Sequence, residues 1–148
     1  MENNDHRTEQ QVWQRVRASR EEAPPNDLRQ LQREALELAA VYWNLASQLT
    51  GKPQSLLKRL HAGEKANAAA LAGIAKLSRM GGESLKLWQP GKEDPSRLLQ
   101  RCYHRTRRCM TECLARSVEG EFGVVFEKLA NREKEHCCLL AEALGGIP

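Results

Sequence analysis

Apolar residues recur at intervals of three and four along most of this chain, and the breaks in that rhythm divide it into helices. Between Phe122 and Leu144 the recurring positions are Val125/Phe126, Leu129, Leu140 and Ala143/Leu144. The same face, carried through the gap, lands on Glu133 and His136, so a carboxylate and an imidazole share a stripe with leucines. From Leu28 to Thr50 the stripe is Leu31, Leu38, Val41/Tyr42, Leu45 and Leu49; Glu34 falls on it, and Glu37 sits with Arg33, Asn44 and Gln48 on a more polar side. Thr50-Gly51-Lys52-Pro53 reads as a tight turn, with Pro53 suited to the first position of a helix running to about Arg79. Its seam is Leu57, Leu60, Leu71 and Ile74, interrupted by Glu64 and Asn67.

Residues 80–93 form the long connection, after which Asp94-Pro95 caps and starts a helix to about Ser117. Its seam is Leu99, Cys102/Tyr103, Thr106, Cys109/Met110 and Cys113. Val118-Glu119-Gly120 turns the chain into the last helix, which ends at Gly145-Gly146. Ahead of the four long helices, residues 5–22 predict a short polar helix with Val12, Trp13 and Val16 as its apolar face. Pro24 and Pro25 break it, and Asp27 is placed to cap the next helix. The division is therefore an N-terminal helix and Pro-rich linker over 1–26 and a four-helix bundle over 27–146, each long helix roughly 34–40 Å.

A shift of 69 residues superposes Leu45-Ala46 on Leu114-Ala115, Gly51 on Gly120, Leu60 on Leu129, Glu64 on Glu133, Asn67 on His136 and Leu71 on Leu140. The chain reads as a duplicated helical hairpin, with the turns at Gly51 and Gly120 expected at one end of the bundle. Composition agrees: leucine, alanine, glutamate, arginine and glutamine outweigh β-branched and aromatic residues, which favours helix over sheet. At 148 residues the chain is long enough to bury a real core. No run approaches the ~20 apolar residues that span a bilayer. The first residues lack the apolar run of a secretory signal, and the five cysteines lack zinc-finger spacing, so a cytoplasmic protein with reduced thiols is expected.

The chemistry worth following lies on the inward faces. An ionised carboxylate among leucines is costly unless paired, and Glu64, Glu133 and Glu34 all fall on seams. Three carboxylates in one core need a cation, an Arg or protons, so at least one of Glu64 and Glu133 should hold its proton above the usual range. Glu-x-x-His at i, i+3 on an inward face is a metal-holding arrangement in helical bundles. A buried ion pair with Arg105 or Arg107 remains the alternative for Glu133 and His136. Cys102, Cys109 and Cys113 have the spacing of small core fillers, and Trp13, Trp43 and Trp88 are expected as packing anchors. The run Arg101, His104, Arg105, Arg107 and Arg108 reads as a solvated helix face, not a nucleic-acid patch, since no aromatic interleaving accompanies it.

With VFEKLANREKEHC at 125–137 and REALELAAVYWNLA at 33–46, residues 28–144 resemble the rubrerythrin-like branch of the ferritin-like superfamily. The resemblance implies an all-α, ferritin-like four-helix bundle, two antiparallel hairpins joined by a long crossover, with the short N-terminal helix added. It implies a metal site in which the first and third helices each give a Glu and the second and fourth each give Glu-x-x-His. Carried onto this chain, the ligands are Glu34, Glu64, Glu133 and His136, with Glu37 the second choice on the first helix. Asn67 stands where a His is expected, and Tyr103 occupies the third-helix position paired with Glu34. Four ligands imply one iron, manganese or zinc ion. Peroxide reduction or iron oxidation is the activity implied, in a homodimer. Rubredoxin-type Cys-x-x-Cys pairs are lacking, so electrons would come from a separate donor protein. From a different class comes a metal-free bundle that serves as an interaction or assembly module.

Overall fold

The computed structural model describes residues 24–78, 87 and 92–147. The short helix expected at 5–22, with Trp13, and most of the long connection, with Trp88, lie outside these residues. The described residues form four α-helices and no strand: α1 Pro24–Gln48, α2 Gly51–Leu77, α3 Pro95–Ser117 and α4 Gly123–Gly145. No helix among them is long and apolar enough to cross a membrane.

The helix boundaries follow local chemistry. α1 starts at Pro24, four residues before the expected Leu28, so the prolines occupy its first turn. Nothing is lost there, because the first N–H groups of a helix have no intrahelical acceptor in any case. Asp94 caps α3 as expected, its carboxylate accepting from the Arg97 backbone N–H at 3.4 Å. Gly51 and Gly120 take φ of +70° and +72°, the left-handed conformation that glycine adopts without a steric penalty. These two glycines are repeat mates, so the duplicated hairpin reuses its turn chemistry.

The helix directions follow from the contacts. On α1 and α2, Ala46 meets Gln54 and Ala39 meets His61, an antiparallel pair. On α2 and α4, Lys52 meets Glu142 and Asn67 meets Glu133, again antiparallel. On α1 and α3, Glu34 meets Cys109 and Glu37 meets Arg105, likewise antiparallel. α2 and α3 are therefore parallel, and α2 ends at the opposite end of the bundle from the start of α3. The turns at Gly51 and Gly120 accordingly lie at opposite ends, which corrects the expectation of a shared end. The repeat is related by a twofold axis perpendicular to the helices, and such an axis reverses each hairpin onto its mate.

Leu57, Leu60, Leu71, Leu129 and Leu140 are all buried, as the stripes predict. The apolar core is split in two. One cluster, containing Leu38, Leu57, Leu60, Leu99 and Leu140, sits towards the α1–α2 turn; the other, containing Leu31, Leu71, Ile74, Phe126 and Leu129, sits towards the α3–α4 turn. Between them in the helix order lies a polar layer of Glu37, Glu64, Asn67, Thr106, Glu133 and His136, all buried. Trp43 departs from expectation: it is 57% exposed and lies on the His61 ring at 4.9 Å instead of anchoring the interior. It is one residue past the buried Val41/Tyr42 pair, and that rotation is enough to place a large indole outside.

Candidate metal centre

Each residue of the polar layer is delivered by a helix whose neighbouring turns are fixed by buried leucines. Glu64 follows Leu60 by one turn on α2, and Glu133 follows Leu129 by one turn on α4. His136, three residues after Glu133, stays on the same face. The imidazole Nδ1 lies 2.9 Å from Glu64 Oε1 across the bundle and 3.3 Å from Glu133 Oε1 on its own helix. Glu133 Oε1 also accepts from the Asn67 amide, whose oxygen accepts from Arg132 Nη1 at 2.8 Å.

The pattern is the twofold axis at work. Glu64 and Asn67 are the repeat mates of Glu133 and His136. Glu64 meets His136 and Asn67 meets Glu133, so each residue contacts the repeat mate of its neighbour on its own helix. An Asn at position 67 breaks the symmetry chemically but keeps it geometrically, because its amide still reaches the facing carboxylate.

Three ligand atoms, one each from Glu64, Glu133 and His136, fall within 4.8 Å of one another. A cavity of about 10 Å³, room for one water-sized occupant, is lined by Glu64, Glu133, Asn67, Cys109, Cys113 and apolar neighbours. Glu133 Oε2 is buried with no hydrogen-bond partner. Unpartnered buried polar atoms are rare, and each calls for a water or an ion. Tyr42, fully buried beside Thr106, lies within electrostatic reach of Glu64 and Glu133.

The electrostatics of the layer are strongly perturbed. Burial, reinforced by the Glu133 carboxylate, raises the Glu64 carboxyl to about 8, so the expectation of a proton-holding glutamate is met here. Burial alone would lower His136, but its hydrogen bonds to Glu133 and Glu64 outweigh that and raise it to about 9. Both shifts favour the protonated forms of Glu64 and His136 at neutral pH.

The remaining sequence candidates sit beside this trio. Glu34 accepts from the Cys109 thiol at 2.8 Å and lies 3.8 Å from Arg105 Nε. Glu37, expected on the polar side of α1, is instead buried, its carboxylate 3.3 Å from Arg105 Nη2. The periodicity of α1 alone shows a polar flank; only α3, folded against it, covers that flank. Asn67 belongs to the layer as a hydrogen-bond bridge. Tyr103 is half-buried against the apolar cluster and edge-on to His104 at 5.8 Å, apart from the trio. Arg105, considered as a partner for Glu133 and His136, turns to the α1 carboxylates. Cys102, Cys109 and Cys113 are buried free thiols, as their spacing predicts.

Gly63 was not legible as a site residue, although a glycine inside an otherwise strong helix is a signal. It leaves the space that the His136 ring occupies. No protein-family model, curated protein or solved structure matches this chain, so the geometry of the centre carries its interpretation.

Proposed function

We propose that this protein is a metal-binding four-helix bundle that holds one divalent ion, iron, manganese or zinc, through Glu64, Glu133 and His136. The observation that carries the reading is Glu133 Oε2, a buried carboxylate oxygen without a partner beside a cavity of one-ion size. Two carboxylates and one imidazole are a mixed oxygen and nitrogen set suited to manganese, iron or zinc. When bound, such an ion supplies Lewis acidity and, for iron or manganese, a redox couple. The chain's own contribution is to orient His136 between the two carboxylates and to exclude bulk water.

The antiparallel hairpins, the parallel relation of α2 and α3 and the twofold crossing at the centre support membership of the ferritin-like superfamily, in its rubrerythrin-like branch. Peroxide reduction or iron oxidation, an external electron donor and a homodimer rest on that resemblance alone. Metal analysis of protein purified without chelator tests the proposal, with one equivalent per chain expected and its loss in Glu133→Ala and His136→Ala. Absence of iron, manganese and zinc, with no uptake of any of them from solution, would sink it. One observation favours a second reading: His136 pairs with both Glu64 and Glu133, so the layer offsets its carboxylates from within and the bundle can close without metal as an interaction or assembly module.

A further inference from the structure

Beside the centre lies a second buried charge problem. Glu34 and Glu37, one turn apart on α1, both point towards α3, with side chains 14% and 5% exposed. Their repeat mates on α3 are Tyr103 and Thr106, so α3 places no acid at the two corresponding positions. What it places against both of them is Arg105, whose Nε lies 3.8 Å from Glu34 Oε1 and whose Nη2 lies 3.3 Å from Glu37 Oε1; Arg108 Nη2 also lies 3.9 Å from Glu34 Oε1, but its side chain is 70% exposed and its charge is screened by solvent. The Arg105 side chain is itself only 17% exposed, so its charge is screened little by solvent. Arginine does not give up its proton in proteins, which makes this cation permanent where a metal ion would exchange.

The α1 pair is one side chain from the centre. Cys109 donates to Glu34 on one side, and on the other it lines the small cavity with Glu64 and Glu133. Burial and the adjacent Glu34 push that thiol upwards, so Cys109 acts as a neutral spacer between the two groups.

We infer that Arg105 determines how many ions the bundle holds: its guanidinium is the fixed cation for Glu34 and Glu37, and it limits the protein to the single ion at Glu64, Glu133 and His136. Arg105 is in this sense a positioning residue, acting through its contacts with Glu34 and Glu37. The inference rests on the metal-binding reading above and adds to its single ion the residue that limits the count.

The test compares wild type, Arg105→Lys and Arg105→Met, each stripped with chelator and titrated with Mn²⁺, with bound ion counted by equilibrium dialysis. One equivalent is expected for wild type and for Arg105→Lys, which keeps the charge. Two equivalents are expected for Arg105→Met, which keeps the length and removes the charge. Adding Glu34→Gln to Arg105→Met should return the count to one. Arg105→Met is expected to melt below wild type without metal and to recover with Mn²⁺, because the second ion replaces the guanidinium. A count of one in Arg105→Met with one in wild type overturns this inference and leaves the single-ion centre standing. A count of zero in wild type overturns both. An Arg105→Met protein that stays unfolded with Mn²⁺ as well as without it also overturns the inference, since an ion then cannot stand in for the arginine.

Discussion

Gly63 and His136 face each other so closely that a β-carbon on residue 63 would stand 2.1 Å from His136 Nε2. The imidazole is thus held from both sides, with Glu64 and Glu133 at Nδ1 and the α2 backbone behind the ring. Gly63→Ala should gain up to about 1 kcal/mol from helix propensity. The clash reverses this, and a net loss of about 1–3 kcal/mol is expected, as for other overpacked cores. Chemical denaturation measures the loss, and metal affinity should fall with it because the ring must move. A more stable Gly63→Ala protein with unchanged affinity would contradict the packing.

The protonation of the layer sets a pH dependence for the metal-free protein. From the usual value of 4.5 up to about 8, folded Glu64 keeps a proton that the unfolded chain has released. From 6.5 up to about 9, His136 does the same. Where the folded state binds more protons, stability falls as pH rises. Stability from these two groups is therefore complete below about pH 4.5 and progressively lost up to about pH 9. Urea midpoints measured at pH 5, 7 and 9 check this, with the lowest expected at pH 9 once other titrating groups are matched by Glu64→Gln. That variant should lose metal binding yet show a shallower decline.

Metal and protons compete for the same atoms, so binding should release protons and tighten with pH. At pH 7 about two protons are expected per ion, from Glu64 and His136, read from calorimetric titrations in buffers of different ionisation enthalpy. An ion at 100 times its dissociation constant stabilises the fold by about 2.7 kcal/mol. For a domain of this size the melting temperature should rise by about 5–10 °C. Binding that weakens as pH rises from 6 to 9 would place the ion elsewhere.

Asn67 links Glu133 to Arg132, and removing the amide leaves both ends short of a partner. Asn67→Leu, close in volume, should cost about 1–3 kcal/mol in the metal-free protein. Bound metal should recover part of that, because an ion takes over the charge on Glu133. Equal melting temperatures for wild type and Asn67→Leu without metal would show that the bridge contributes nothing.

The cysteines offer a check that is independent of metal. Cys138 is exposed and Cys137 half-buried, whereas Cys102, Cys109 and Cys113 are buried. Burial raises the Cys102 and Cys113 thiols to about 12, and thiolate, not thiol, is the reacting form. Alkylation at pH 8 should therefore modify Cys138 first and Cys137 more slowly, leaving the other three until denaturant is added. Rapid native labelling of Cys109 would place α3 differently.

Much of the architecture is written in one dimension. The spacing of leucines specifies four amphipathic helices, since burial of an apolar stripe dominates helix stability in a folded chain. Asp94, Gly51 and Gly120 mark starts and turns through backbone chemistry that acts over a few residues. Glu64, Glu133 and His136 were legible as a group because each sits on a stripe that must face inward, and a stripe is a local property. The 69-residue repeat further set Glu64 in register with Glu133 and Asn67 with His136.

The tertiary structure decided whatever depends on a neighbouring helix. The end-to-end placement of the two turns follows from the direction in which the hairpins cross, and periodicity does not record direction. Glu37 is buried because Arg105 of α3 covers it, and Arg105 is drawn there because two carboxylates of α1 offer it a charge. Gly63 matters because the His136 ring occupies the volume its side chain would fill. Trp43 is outside because a rotation of one residue beyond the stripe carries it out of the interior and onto His61 at the surface of α2. Sequence by itself determined which faces turn inward, through the period of the helix; side-chain partnership between helices required the packed bundle, because charge and volume act across space and not along the chain.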